Sequence, residues 1–253
     1  MVEPINSQEL KEGDILNEIS EIIKSKLELI DSLGIKFIIS LHKYPLIKAN
    51  YNQTSQEFWG NKTLVNESIN TFIELVKITN FKRNTILGYA YINEPIIRGK
   101  YSHRKPSNLR FIQKDVALKL LKLNSNKFLI ISPGPGGHAN GYSNFTPLLQ
   151  KNILYNFHFF QPKEYTQFPQ KLLYKYDYIG SKKFNKDYIL ERLKPVLDFK
   201  KRYNVPMLLG SFNAHLKAYN RTQYLEDIIS ICDSLAINHS IHVYNGHPIW
   251  ETN

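Results

Sequence analysis

Cysteine is almost missing from this chain. Cys232 stands alone in 253 residues, which excludes an internal disulfide and a cysteine-built metal site. It lies in Ile-Ile-Ser-Ile-Cys on an apolar helical stripe, where a thiol packs as a small hydrophobe. No apolar run approaches the roughly 18 to 20 residues of a membrane span, so no membrane partner is expected. The start, Met1-Val2-Glu3-Pro4, has neither the basic opening nor the apolar core of a signal peptide. The expected location is therefore cytoplasmic if Met1 is the true start, and secreted if an upstream signal-bearing segment has been lost. Blocks of like charge are missing too. The net charge is +11, yet the lysines are spread along the whole chain, with no run of five or six and no nucleic-acid motif. The charge reads as solvated surface, and nucleic acid is not an expected partner.

What is present is ordinary globular content, 42% hydrophobic and 13% aromatic, enough for one large domain with a core. Apolar residues Ile15, Ile19, Ile22, Ile23, Leu27, Ile30 and Leu33 recur at helical spacing, with Asp14 as N-cap and Gly34 as stop. Phe37 to Leu41 is almost wholly apolar, as in a strand buried on both faces. The alternation repeats. A stripe of Val65, Ile69, Phe72, Ile73 and Val76 precedes a strand over Ile86 to Ile92, and a helix over Leu109 to Leu123 precedes a strand over Phe128 to Ile131. Further strands are expected at Ile153 to Phe160, Met207 to Leu209 and Ile241 to Tyr244. Helices are expected at Asp187 to Tyr203, bent at Pro195, and at Gln223 to Leu235. Alternating helices and apolar strands imply parallel βα units, either in an open sheet or in a barrel. No linker or low-complexity stretch interrupts them, so residues 1–253 read as one domain.

In such folds chemistry collects where strands give way to loops. Asn93-Glu94-Pro95 follows one strand, and a carboxylate there is partly desolvated and suited to general acid work. The same residue also suits a surface or helix-capping role beside a turn proline. His42 and His158 close two other strands, each equally compatible with a structural histidine. Trp59, Trp250 and several tyrosines fall in predicted loops, where flat rings stack on sugars or pack the core.

Four blocks, taken together, resemble glycoside hydrolase family 5, the cellulase-like family. Gly88-Tyr89-Ala90-Tyr91-Ile92-Asn93-Glu94-Pro95 is similar to its strand-four signature, and Ile38-Ile39-Ser40-Leu41-His42 to its strand-three segment. Asn152 to Pro162 resembles the strand-six segment, and Val205 to Asn213 the strand-seven segment. Order and spacing agree over roughly residues 14 to 253. The resemblance implies an α/β fold of the (β/α)8 TIM-barrel type. Here it would be incomplete, with about six strands equivalent to strands three to eight. Strands one and two and the final helix are unaccounted for, so another segment or chain would be expected to complete the barrel. It implies hydrolysis of O-glycosidic bonds in β-linked oligosaccharides or polysaccharides, with retention, by two glutamates about 5 Å apart, and with no cofactor or metal. By the resemblance Glu94 is the acid/base, while Asn93, His42 and His158 line the substrate.

The departures bear on one function. The nucleophilic glutamate is expected at Ser211, whose alcohol is a poor nucleophile without an activating base. The tyrosine expected two residues after His158 is Phe160. The strand-eight tryptophan is not at 240 to 245, where His242 and Tyr244 stand, and Trp250 comes later as a substitute. The expectation is a cellulase-like hydrolase with impaired catalysis. The alternatives are a non-catalytic carbohydrate- or partner-binding remnant, and an inverting enzyme using Glu164 with carboxylates roughly 6.5 to 9.5 Å apart.

Overall fold

The computed structural model describes residues 25–41, 54–79, 83–100, 102–123, 126–168, 171–243 and 247–250. The fold is α/β, built from βα units of the (β/α)-barrel type, with six parallel strands among the described residues. The chain divides into two compact units, Met1–Ile131 with Gln150–Ile153, and Ser132–Leu149 with Leu154–Asn253.

The first unit holds strands β1 (Phe37–Ser40), β2 (Ile86–Ala90) and β3 (Phe128–Ile131), parallel in that order. Helix α1 covers described residues 25–32 and ends where Gly34 takes a φ of +64°. The expected N-terminal part of α1 lies outside the described residues. Helix α2 (Lys62–Ile78) is capped by Asn61, whose side chain accepts from the amides of Thr63 and Leu64 at 3.0 and 3.2 Å. Its buried stripe includes Val65, Ile69, Phe72 and Val76, as the periodicity predicts. Helix α3 (Leu109–Lys122) follows the same rule with Leu109, Ile112, Val116 and Leu120 inside. Strand β1 differs from expectation: all four of its residues are half-buried rather than enclosed on both faces.

The base of this unit is tied by polar groups. The Asp31 carboxylate accepts from Thr85 and Arg83, and these bonds, the hydroxyl's first, hold its pKa below the usual carboxylate range. Lys36 and Lys127 donate to the carbonyls of Asn84 and Arg83, each at 2.7 Å.

The second unit holds β4 (Ile153–Phe159), β5 (Met207–Phe212) and β6 (Asn238–Ile241), again parallel in sequence order. Strand β4 is buried at all seven positions. Helix α4 (Lys186–Tyr203) is capped by the Asn185 side chain and ends on Asn204 in the left-handed region; it runs unbroken through Pro195. Helix α5 (Arg221–Ser234) buries Tyr224, Leu225, Ile228, Ile231 and Cys232. Strand β6 lies three residues earlier than expected at both ends and shares only Ile241 with the expected span. Its residues are mostly exposed, and the chain leaves the sheet once Ile241 has paired with Phe212.

Two outcomes test this packing. A Cβ on Gly88 would sit 2.4 Å from the Phe128 carbonyl oxygen of the neighbouring strand, where backbone cannot yield. Gly88→Ala should therefore cost about 1–3 kcal/mol in urea unfolding, the usual cost of overpacking. Burial pushes the Cys232 thiol up to about 12, with Asp233 adding to it. The native protein should resist iodoacetamide at about pH 8.5, where a free thiol reacts, and should react once unfolded. Because the folded pKa is raised, this group's stabilisation is complete below the unfolded pKa and is lost as pH climbs toward the folded one.

Candidate active site

In the first unit, β2 gives way to Tyr91 and Ile92, both buried, then to half-buried Asn93 and exposed Glu94. Ile92 has φ +58°. A β-branched residue in the left-handed region costs on the order of 1–3 kcal/mol, a strain that recurs at functional turns. The strain is held by packing on either side. The Tyr91 hydroxyl pairs with Ser68 at 2.7 Å and the Tyr89 hydroxyl with Thr79 at 2.8 Å, both on or just after α2. Beyond the turn, the Trp59 indole donates to the Ile96 carbonyl at 3.2 Å. Trp59 is thus a buried anchor in the short helix Gln56–Gly60, not a loop residue facing solvent. Glu94 is exposed, in contrast to the partly desolvated carboxylate expected where a buried strand ends.

In the second unit, β4 carries Asn156 and His158 on the face that period two assigns them together. Each is only 2% exposed. The Asn156 amide nitrogen lies 2.9 Å from Ser132 Oγ and 3.1 Å from His158 Nε2. The His158 backbone amide donates to the Gly137 carbonyl at 2.9 Å. The Asn156 side chain exists in this position because Gly210 on β5 has no Cβ; one built there would lie 2.0 Å from Asn156 Oδ1. His158 and Ser211 are register partners on β4 and β5, so the serine stands beside the imidazole, half-buried.

Past the strand ends lies an aromatic cluster. Phe160 packs on Trp250 at 5.0 Å and on His242 at 6.0 Å, and His247 stacks on Trp250 at 4.6 Å with an 18° interplanar angle. Trp250 is fixed at both ends. Its indole donates to the Thr166 carbonyl at 2.8 Å, and its own carbonyl accepts from Asn213 at 2.6 Å. Asn213 is fully buried, donates also to the His242 carbonyl, and accepts from Arg221 at 2.9 Å and from the Ala214 amide at 2.7 Å.

The second unit thus brings together His158, Ser211, Phe160 and Trp250 from the expected set. Asn93 and Glu94 stand together in the first. His42 and Tyr244 lie outside the described residues. Glu164 is an exposed residue of the short helix Lys163–Thr166. Sequence reasoning missed Asn156, Gly210, Asn213, Arg221 and His247 as parts of the site. One signal was available: an amide two residues before His158, inside an otherwise apolar strand. Among the described residues no three His, Cys, Asp or Glu side chains gather as a metal site would require.

A model of the family described as Cellulase (glycosyl hydrolase family 5) matches residues 5–247. The chain belongs to glycosyl hydrolase family 5. No curated protein matches it. Solved structures share the fold at low identity. A glycoside hydrolase aligns with TM-score 0.74 and 20% identity, over 90% of this chain and 71% of its own. Thermotoga maritima Cel5A in complex with cellobiose aligns with TM-score 0.68 and 15% identity, over 98% and 75%. The cellulose synthase subunit Z of Clostridioides difficile aligns with TM-score 0.69 and 13% identity, also over 98% and 75%.

Within this family 5 chain the Asn213 junction is the site's testable joint. Asn213→Ala removes both carbonyl contacts and the bond that Arg221 donates to Asn213 Oδ1, a loss of about 1.5–3 kcal/mol for a set that includes a charged donor. In a Trp59→Phe background, Trp250 emission should shift to the red as the cluster loosens. Unchanged emission and stability would mean that the turn is held elsewhere.

Proposed function

We propose that this chain is a β-glycan-binding member of family 5 whose hydrolytic turnover is impaired. The observation that carries the reading is Ser211. It is the register partner of His158, at the place where the resemblance expects the nucleophilic glutamate. A retaining glycosidase needs a carboxylate there to form the glycosyl-enzyme. An alcohol does not supply it, and Phe160 lacks the hydroxyl that would accompany it. Glu94 is the acid/base of the resemblance, but one carboxylate completes neither geometry. Loss of a central nucleophile costs on the order of 10⁶ in rate, roughly 8 kcal/mol at about 1.4 kcal/mol per tenfold.

The binding half of the reading rests on the ring surfaces of Phe160 and Trp250, which suit the apolar faces of sugars. Solved relatives are complexes of Cel5A with cellobiose and with mannotriose, so cellulose-type and mannan-type glycans are the ligands to try. A second partner is polypeptide. Half-buried β1 and exposed β6 would each bury more surface against a further strand, supplied by another segment or chain.

Cleavage of an aryl β-cellobioside should stay at background for the natural chain and for Glu94→Gln. Ser211→Glu should bring measurable turnover that Glu94→Gln abolishes in the same background. Cleavage by the natural chain that vanishes in Glu94→Gln would overturn the impairment. A folded sample that neither cleaves nor saturably binds cellobiose or mannotriose would overturn the glycan reading.

A further inference from the structure

Exposed aromatic rings are costly surface, and in the second unit two of them, Tyr176 and Tyr219, meet in one place. Tyr176 and Tyr219 are 62% and 47% exposed, and their rings meet edge to face at 5.6 Å. The pair is held out into solvent by backbone that is itself strained. Lys175, just before Tyr176, has φ +71°, and Asn220, just after Tyr219, has φ +55°. Residues other than glycine visit this region at a cost. The left-handed turn at Lys175 separates fully buried Tyr174 from exposed Tyr176.

The two turns are also tied to each other. The Asn220 amide donates to the Tyr174 carbonyl at 3.2 Å, and the Tyr165 hydroxyl donates to the Tyr219 carbonyl at 2.6 Å. The floor beneath them is a dense aromatic core of Tyr165, Tyr174, Phe184 and Tyr224, with ring centroids 4.9 to 6.2 Å apart. The phenol pair is thus a pre-organised feature and not two stray side chains.

The same elements hold the Trp250 cluster. Tyr165 pins the Tyr219 loop, and its neighbour Thr166 accepts the Trp250 indole. The Leu216 amide, in the Tyr219 loop, donates to the Ile249 carbonyl beside Trp250 at 2.9 Å. Two ring surfaces are therefore mounted on one short helix and one loop, both following the strand ends that carry His158 and Ser211. A flat ring with a polar rim matches a pyranose, whose apolar C–H face is edged by hydroxyls.

We propose that Tyr176 and Tyr219 form a second stacking surface for a β-linked glycan chain, outside the Phe160–Trp250 cluster. The inference rests on the glycan reading above and extends it to longer ligands. A disaccharide occupies the Trp250 cluster alone, and a longer chain gains the tyrosine pair.

Titration calorimetry with cellobiose and cellohexaose, and with mannobiose and mannohexaose, tests this. The natural chain should bind the hexamer of its preferred glycan more tightly than the dimer. Tyr176→Ala combined with Tyr219→Ala should weaken hexamer binding about tenfold, the scale of one aromatic stack, and leave dimer binding unchanged. The doubly substituted Tyr176→Phe, Tyr219→Phe chain should keep most of the hexamer affinity, since the ring faces remain. Both positions are exposed, so the fold is not at risk, and a Trp250→Ala control should weaken dimer and hexamer alike. Hexamer affinity unchanged in the alanine chain overturns this inference and leaves the glycan reading intact. A natural chain that binds none of the four sugars overturns both.

Discussion

A strand buried at all seven of its positions, Ile153–Phe159, sets the terms for the second unit. A polar side chain inside such a strand must find its partners locally or be expelled, because water cannot reach it. The Asn156 amide nitrogen meets that demand through Ser132 and His158, while its buried Oδ1 has no hydrogen-bond partner. Their arrangement in turn dictates the facing strand. Gly210 must lack a side chain so that the Asn156 amide has room, and the chain then presents Ser211 beside His158. One buried amide thereby couples the packing of β4 and β5 to the position where the family's chemistry would occur.

Beyond the strand ends, order depends on hydrogen bonds rather than on burial. Asn213 joins the end of β5 to the carbonyls of His242 and Trp250, and Arg221 on α5 holds Asn213. The Trp250 ring lies under His247 and against Phe160. A half-buried tryptophan with both polar ends engaged is a fixed surface, and a fixed surface is what weak stacking on a sugar ring requires.

The two departures from the family pattern, Ser211 and Phe160, bear on the same step. On the proposed reading, a serine at the nucleophile's place would forfeit the covalent intermediate, and Phe160 would lack the hydroxyl that partners the nucleophile. Neither change disturbs the fold. Ser211 occupies a half-buried place, and Phe160 packs on Trp250.

The architecture was legible in the sequence because buried parallel strands and amphipathic helices write their periods directly. Five of the six strands fell where apolar runs placed them, as did the helices α2 through α5 and the packed Cys232. The strand-end motif around Glu94, and its family, were legible for the same reason, since each block was short, ordered and in register. Tertiary structure decided the rest. Trp59 went into the core because Ile96 offered its indole a carbonyl, and β6 formed three residues upstream of its apolar run, where Asn238 and His239 pair with Leu208 and Leu209. The partnership of Asn156 with Gly210, and of Asn213 with Trp250, joins residues 54 and 37 positions apart. No period or local motif records a contact between side chains so distant in the chain; only the packing of one strand against another, and of a loop against the last turn, brings them together.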